Sequence, residues 1–156
     1  MAAPSIFTDR EQKFLQELVR REVDFMIVGL SAAALQGAPA VTQDIDLWFK
    51  DLSDPQLIAA LKKVGGVYVP STGSTPPVFS GRGVALFDIV LRMDGIGGFD
   101  EEVGNAITVR LGRTRVKVLP LSRIIASKKA ANRRKDRLIL PVLEDAAATL
   151  RERSSK

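Results

Sequence analysis

The stretch GLSAAALQGAPAVTQDIDLWF, Gly29 to Phe49, decides the fold. Its first glycine closes the apolar run DFMIVG, Asp24 to Gly29, which has the length and composition of a buried strand. SAAALQ follows, rich in helix formers, so the order is strand, glycine turn, helix. Gly37 to Val41 is a loop of glycine, proline and small residues, and DIDLWFK, Asp44 to Lys50, is a second strand. A period of two sends Asp44, Asp46 and Trp48 to one face and Ile45, Leu47 and Phe49 to the other. Asp44 and Asp46 then stand about 6.5–7 Å apart at Cα. Two carboxylates at that separation can share divalent cations, whereas in a dry site without a cation they repel.

An aspartate pair one residue apart is weak evidence by itself, because eleven aspartates in 156 residues give roughly 0.8 such pairs by chance. Position carries more. Asp88 interrupts the apolar run VALFDIVLRM, a strand expected over Val84 to Met93, where an unpaired buried carboxylate is costly. With that strand beside DIDLWF, three carboxylates converge. Their hard oxygens suit magnesium, with manganese as an alternative, and two such ions fit phosphoryl transfer. A plainer reading makes Asp44 a strand-end cap, Asp46 a surface residue and Asp88 the partner of a core arginine. Gly29, ending a strand and opening a helix, can present backbone N–H groups to phosphate, and Ser31 can add a hydroxyl. For Gly29 taken alone, a plain tight strand-to-helix turn is the commoner account.

Outward from this centre, Thr8-Asp9-Arg10-Glu11 has the form of a capping box, and Phe14, Leu15, Leu18 and Val19 recur at helical spacing in a helix over Asp9 to Glu22. Ser53-Asp54-Pro55 opens a helix to Lys63 that Gly65-Gly66 stops. VYVP reads as a short strand, PSTGSTPPVFSGRG as loop, and DGIGGFDEEVGNA as loop with one helical turn. ITVRLGRTRVKVLP alternates about Gly112 as a hairpin. Ser122 is expected to cap a helix to Asn132, and a last helical region to begin at Lys135, interrupted or restarted at Pro141, with RERSSK frayed. The expected class is α+β: a mixed sheet flanked by helices, in one domain over residues 1–156. Its core is at about 24–118 and its C-terminal helical region at about 122–151.

With 46% apolar and 26% charged residues, the chain can bury a core. It has no cysteine and no histidine, which excludes thiolate sites, serine–histidine triads and histidine-bound zinc. Catalysis therefore falls to carboxylates, lysine, arginine, hydroxyls or an oxygen-bound metal. MAAPSIFTDREQ lacks a basic region followed by an apolar run, and no apolar stretch reaches about 18 residues, so a cytoplasmic location without a membrane partner is expected. The net charge of +5 is uneven: Arg110 to Arg137 holds eleven basic residues and one acid, Asp136. Such a segment suits a polyanion such as a nucleotide or nucleic acid, or is a solvated helix face.

Gly29 with Ser31, then Gly37, Thr42 and Asp44-Ile45-Asp46-Leu47, and later Asp88 within a strand, resemble the nucleotidyltransferase superfamily of the DNA polymerase beta fold. The resemblance is to its minimal bacterial branch, which includes abortive-infection and toxin–antitoxin proteins. KKAANRRKDRLILPVLEDA is similar to that branch's C-terminal segment, so the resemblance spans about Phe25 to Ala147. It implies that Gly29 and Ser31 contact a triphosphate, that Asp44 and Asp46 bind two metals, and that Asp88 binds the catalytic metal and acts toward the acceptor hydroxyl. It adds Thr42, Lys128, Arg133 and Lys135 to the nucleotide site. Lys128 also follows Leu121, Ile124 and Ile125 at helical spacing, which places it at a core edge whatever the family. The sequence departs from the pattern at Leu30, where glycine or serine is usual, at Gln36 in place of histidine, and at Ala40 in place of arginine.

Three functions follow. The first is a magnesium-dependent nucleotidyltransferase moving a nucleoside monophosphate from a triphosphate to a hydroxyl of RNA, protein or a small molecule, including a toxin–antitoxin enzyme. The second is a protein of the same fold that binds nucleotide or a partner protein without turnover, for which Leu30 and Ala40 are the motive. The third is a basic nucleic-acid module built on the hairpin and the Ser122 helix.

Overall fold

FMIV, buried at all four positions, forms β1 (Phe25–Val28) at the middle of a five-stranded sheet in the computed structural model, which describes residues 9–154. β2 (Ile45–Phe49) pairs antiparallel with β1, and β5 (Phe87–Val90) lies parallel to β2 at one edge. On the other side β7 (Thr114–Val118) runs parallel to β1, and β6 (Ile107–Leu111) closes the far edge as the other arm of a hairpin about Gly112. The order is β5-β2-β1-β7-β6. A mixed sheet in an α+β fold agrees with the class expected from the sequence.

Strand alternation divides the apolar residues between two layers. On one face α1 (Asp9–Arg20) lays Phe14 against Phe79 and Phe87, edge-on at centroid distances of 5.7 and 5.1 Å. Phe49 stacks beside its register partner Phe25 and meets Phe79, extending the aromatic cluster. α3 (Pro55–Lys63), capped by the Asp54 carboxylate on the Gln56 N–H at 2.8 Å, packs beside α1. On the opposite face α2 (Gly29–Leu35) covers β1 and β2, and α5 (Leu121–Ala131) packs on α2 and on α6 (Arg134–Ser154). The link after β5 carries the short α4 (Phe99–Glu102) and a 3₁₀ turn. Its Glu102 carboxylate accepts from Arg123 of α5 at 2.7 and 2.8 Å and from the Gly97 N–H, tying that link to α5.

Several expectations are corrected. α1 ends at Arg20, where Glu22 takes a positive φ of 57° and turns the chain; Thr8 of the capping box lies outside the described residues. Residues 70–83 are not all loop: β4 (Val78–Ser80) pairs with β3 (Val67–Val69), because Phe79 finds the aromatic cluster. β5 is shorter than Val84 to Met93, since Val84 to Leu86 lie in turns closed by Gly81 and Val84 carbonyls and the pairing with β2 ends at Val90. Pro120, not Ser122, stands at the N-cap of α5, with no side-chain cap. α6 starts at Arg134 and runs through Pro141 without interruption. Pro141 and Arg137 are both exposed, so water can take the carbonyl left without an N–H. Arg151 to Ser154 of the expected frayed tail are helical. No helix among the described residues is long and apolar enough to cross a membrane.

Candidate active site

The parallel pairing of β2 with β5 sets Asp46 directly opposite Asp88, on the sheet face beneath α2, α5 and α6. Asp44 stands one step before β2, in a bend rather than in the strand. There the Thr42 hydroxyl donates to the Asp44 carbonyl at 2.8 Å and accepts from its N–H at 3.3 Å. These three acids open on a cavity of about 710 Å³. Asp88 is exposed at the sheet edge, so its carboxylate is not the buried one that the apolar sequence around it suggested.

Gly29 has a φ of +66°, and a Cβ there would collide with Asp46 Oδ2. Its lack of a side chain therefore makes room for a carboxylate. Ser31 is fully buried and does not line the cavity; its hydroxyl donates to the Val28 carbonyl at 2.8 Å and accepts from the Asp46 N–H at 3.1 Å. In this structure its one proton goes to the backbone, and it pins β2 to α2. Gln36 is likewise structural, donating to the carbonyls of Ala32 and Leu119 and accepting from the Leu121 N–H, which bolts α2 to the start of α5. Leu30 lines the cavity, whereas Ala40 does not.

The opposite wall is cationic. Lys128, Arg133 and Lys135 line the cavity as the sequence suggested, and the Lys128 side chain is only 15% exposed. Sequence reasoning missed what holds them. Asp136, fully buried, accepts from Arg133 Nε at 2.7 Å, from the Arg133 N–H at 3.0 Å and from Lys128 Nζ at 3.4 Å. Burial pushes its pKa up, but the Arg133 hydrogen bonds and the Lys128 charge overcome that and hold it at about 2. The available signal was its place as the single acid among eleven cations between Arg110 and Arg137. Arg92 and Asp94 also line the cavity, with Val90, Ile124 and Ile139 supplying an apolar wall.

The acids are electrostatically frustrated. Burial first, then the charges of Asp88 and Asp44, push the Asp46 carboxyl up to about 6, with Lys128 and Lys135 pulling it down. Partial desolvation by the cleft wall and the Asp44 charge raise Asp88 above the usual carboxylate range. No three acidic side chains among the described residues close into a ready-made metal cage.

A mixed sheet with acids on β2 and at its β5 edge, roofed by helices, is an α+β fold that solved structures share. Among solved structures the chain is similar to ANT(2'')-Ia in complex with adenylyl-2''-tobramycin: 17% identity, TM-score 0.57, covering 92% of this chain and 95% of that one. It is also similar to the solution structure of the antibiotic-resistance factor ANT(2'')-Ia: 17% identity, TM-score 0.58, covering 94% and 91%. No family model and no curated protein matches the chain.

Proposed function

We propose that the protein is a magnesium-dependent nucleotidyltransferase that moves a nucleoside monophosphate from a nucleoside triphosphate to a hydroxyl group, releasing pyrophosphate. The observation that carries this reading is the placement of Asp46 opposite Asp88 in a cavity whose far wall is Lys128, Arg133 and Lys135. Hard carboxylate oxygens that repel one another, with Lys128 and Lys135 only partly offsetting the repulsion at Asp46, fit magnesium, or manganese in its place. An open cavity rather than a closed cage leaves room for the water and phosphate oxygens these ions keep. Asp44, Asp46 and Asp88 would hold two ions. When bound, these would neutralise the reacting phosphate and ease ionisation of the acceptor hydroxyl.

The chain's own groups do the rest. Asp88, whose raised pKa makes it a better base than an ordinary aspartate, receives the acceptor's proton as its oxygen bonds to the α-phosphorus and the bond to pyrophosphate breaks. Lys128 and Arg133, held in place by Asp136, and Lys135 take the charge on the triphosphate. Thr42 shapes the bend that presents Asp44, and Gly29 keeps the approach to Asp46 open. Val90, Ile124 and Ile139 exclude water from one side.

The fold likeness to a protein bound to an adenylylated antibiotic supports a small hydroxyl-bearing acceptor. The basic segment Arg110 to Arg137 supports RNA or a protein-bound polyanion as acceptor instead, and the motif resemblance supports a narrower role as a cytoplasmic toxin with a partner protein. Pyrophosphate release from each of the four triphosphates, with an amino sugar, an RNA or a protein as acceptor, tests the reading. Release should require magnesium and fall about 100-fold or more in Asp46→Asn and Asp88→Asn. Leu30 in the cavity favours a second reading, nucleotide binding without turnover. Tight nucleotide binding with no release from any acceptor would select it.

A further inference from the structure

The basic hairpin is left over once the site is assembled. Register sets Arg110 opposite Arg115 and Thr108 opposite Lys117, all four exposed on one face, while Val109, Leu111, Val116 and Val118 are buried on the other. Arg113, in the turn, is exposed as well. None of these four cations has an ion pair with an acid among the described residues. Like charges directly opposite on neighbouring strands destabilise a sheet, and no acid among the described residues pairs with Arg110 or Arg115 to offset that cost. The basic residues of α5 differ: Arg123 is paired with Glu102, Lys128 with Asp136 and Lys129 with Glu144. The helix half of a hairpin-and-helix nucleic-acid module is thus already engaged, and the hairpin half is not.

We infer that the β6–β7 hairpin is a separate surface for the phosphate backbone of a nucleic-acid strand, with Arg110, Arg113, Arg115 and Lys117 as its contacts. Side chains on a grid of about 5 by 7 Å can each reach a different phosphate, and the guanidinium forks suit phosphate oxygens. No large apolar side chain is exposed between Ile107 and Val118, so the surface lacks the buried anchor a protein interface needs and the wedge a membrane needs. It also lacks an aromatic platform for bases, so it contacts the backbone and not the sequence. β6 is a sheet edge, which leaves the ribbon open to a long ligand. This binding is independent of nucleotide transfer and requires neither magnesium nor a triphosphate.

Fluorescence anisotropy on labelled 20-nucleotide RNA and DNA strands of mixed sequence, in EDTA without nucleotide, tests it. Four phosphate contacts weaken binding about 50-fold between 50 and 200 mM salt. A variant with Arg110, Arg113, Arg115 and Lys117 all changed to Gln should bind at least 10-fold more weakly at 50 mM salt, and lose most of the salt dependence. A control with four exposed cations on other surfaces, Lys13, Lys62, Lys63 and Arg82, changed to Gln should bind within about twofold of wild type. Circular dichroism melts verify that both variants fold. Equal binding by the hairpin variant and wild type overturns the inference. So does a loss shared equally by the control, or equal affinity for polyglutamate or for phosphatidylserine–phosphatidylcholine vesicles. A preference between RNA and DNA identifies the source of the strand.

Discussion

Gly29 and Asp46 constrain one another: the carboxylate occupies the space a Cβ would fill, and the positive φ of Gly29 turns the chain from β1 into α2. Gly29→Ala should cost about 1–3 kcal/mol in denaturant unfolding and displace Asp46, lowering turnover more than nucleotide affinity. Asp46 also carries a cost of its own. Its folded pKa of about 6 lies above the usual 3.8, so the folded state resists ionisation, and stability is lost as pH rises through that range. Asp46→Asn should therefore stabilise the metal-free protein by about 1–2 kcal/mol at pH 8, after allowance for the site's partial exposure. The gain should vanish below pH 4, and a destabilised variant at pH 8 would contradict this account. Asp46 was legible because aspartate within an apolar run conflicts with its surroundings, although the same signal placed Asp44 in a strand it only precedes and Asp88 in a core it only borders. Ser31 and Asp136 were not, since a buried hydroxyl or carboxylate is explained by partners distant in sequence or hidden in a basic run.

Among the elements, β1, β2, α2, α3 and the β6–β7 hairpin follow from local pattern, and their positions match it closely. β4 was hidden because a three-residue strand amid serine, glycine and proline has no period to detect, and only Phe79's contacts select it. The ends of β5 were overextended for a related reason: where a strand stops depends on the length of its neighbour β2. The link after β5 depends on Glu102, whose pKa the Arg123 hydrogen bonds chiefly lower, to about 2. A lowered folded pKa contributes stability above the unfolded value of 4.5, lost as pH falls toward 2. Glu102→Gln should cost about 2–3 kcal/mol at pH 7, at the low end for a buried pair because Arg123 is one-third exposed. That deficit should shrink through pH 4.5 to 2 in equilibrium unfolding. A constant deficit would assign the loss to packing instead.

Across the molecule the sheet separates its tasks. One face is an aromatic core under α1 and α3, whereas the other holds the acids near β5 and the exposed cations on β6 and β7. Order along the chain revealed the first half of this arrangement through the Gly29–Phe49 stretch. The cationic wall arrives from α5 and α6, and its place opposite the acids depends on the α2–α5 junction that Gln36 holds. The central claim is that Asp46 and Asp88 jointly bind the cation that carries a triphosphate. Anomalous diffraction from crystals grown with manganese and a non-hydrolysable triphosphate measures this directly. The account predicts manganese peaks bounded by the Asp46 and Asp88 carboxylates, with the triphosphate reaching toward Lys128. A triphosphate bound in the cavity with no manganese at those two aspartates would contradict it.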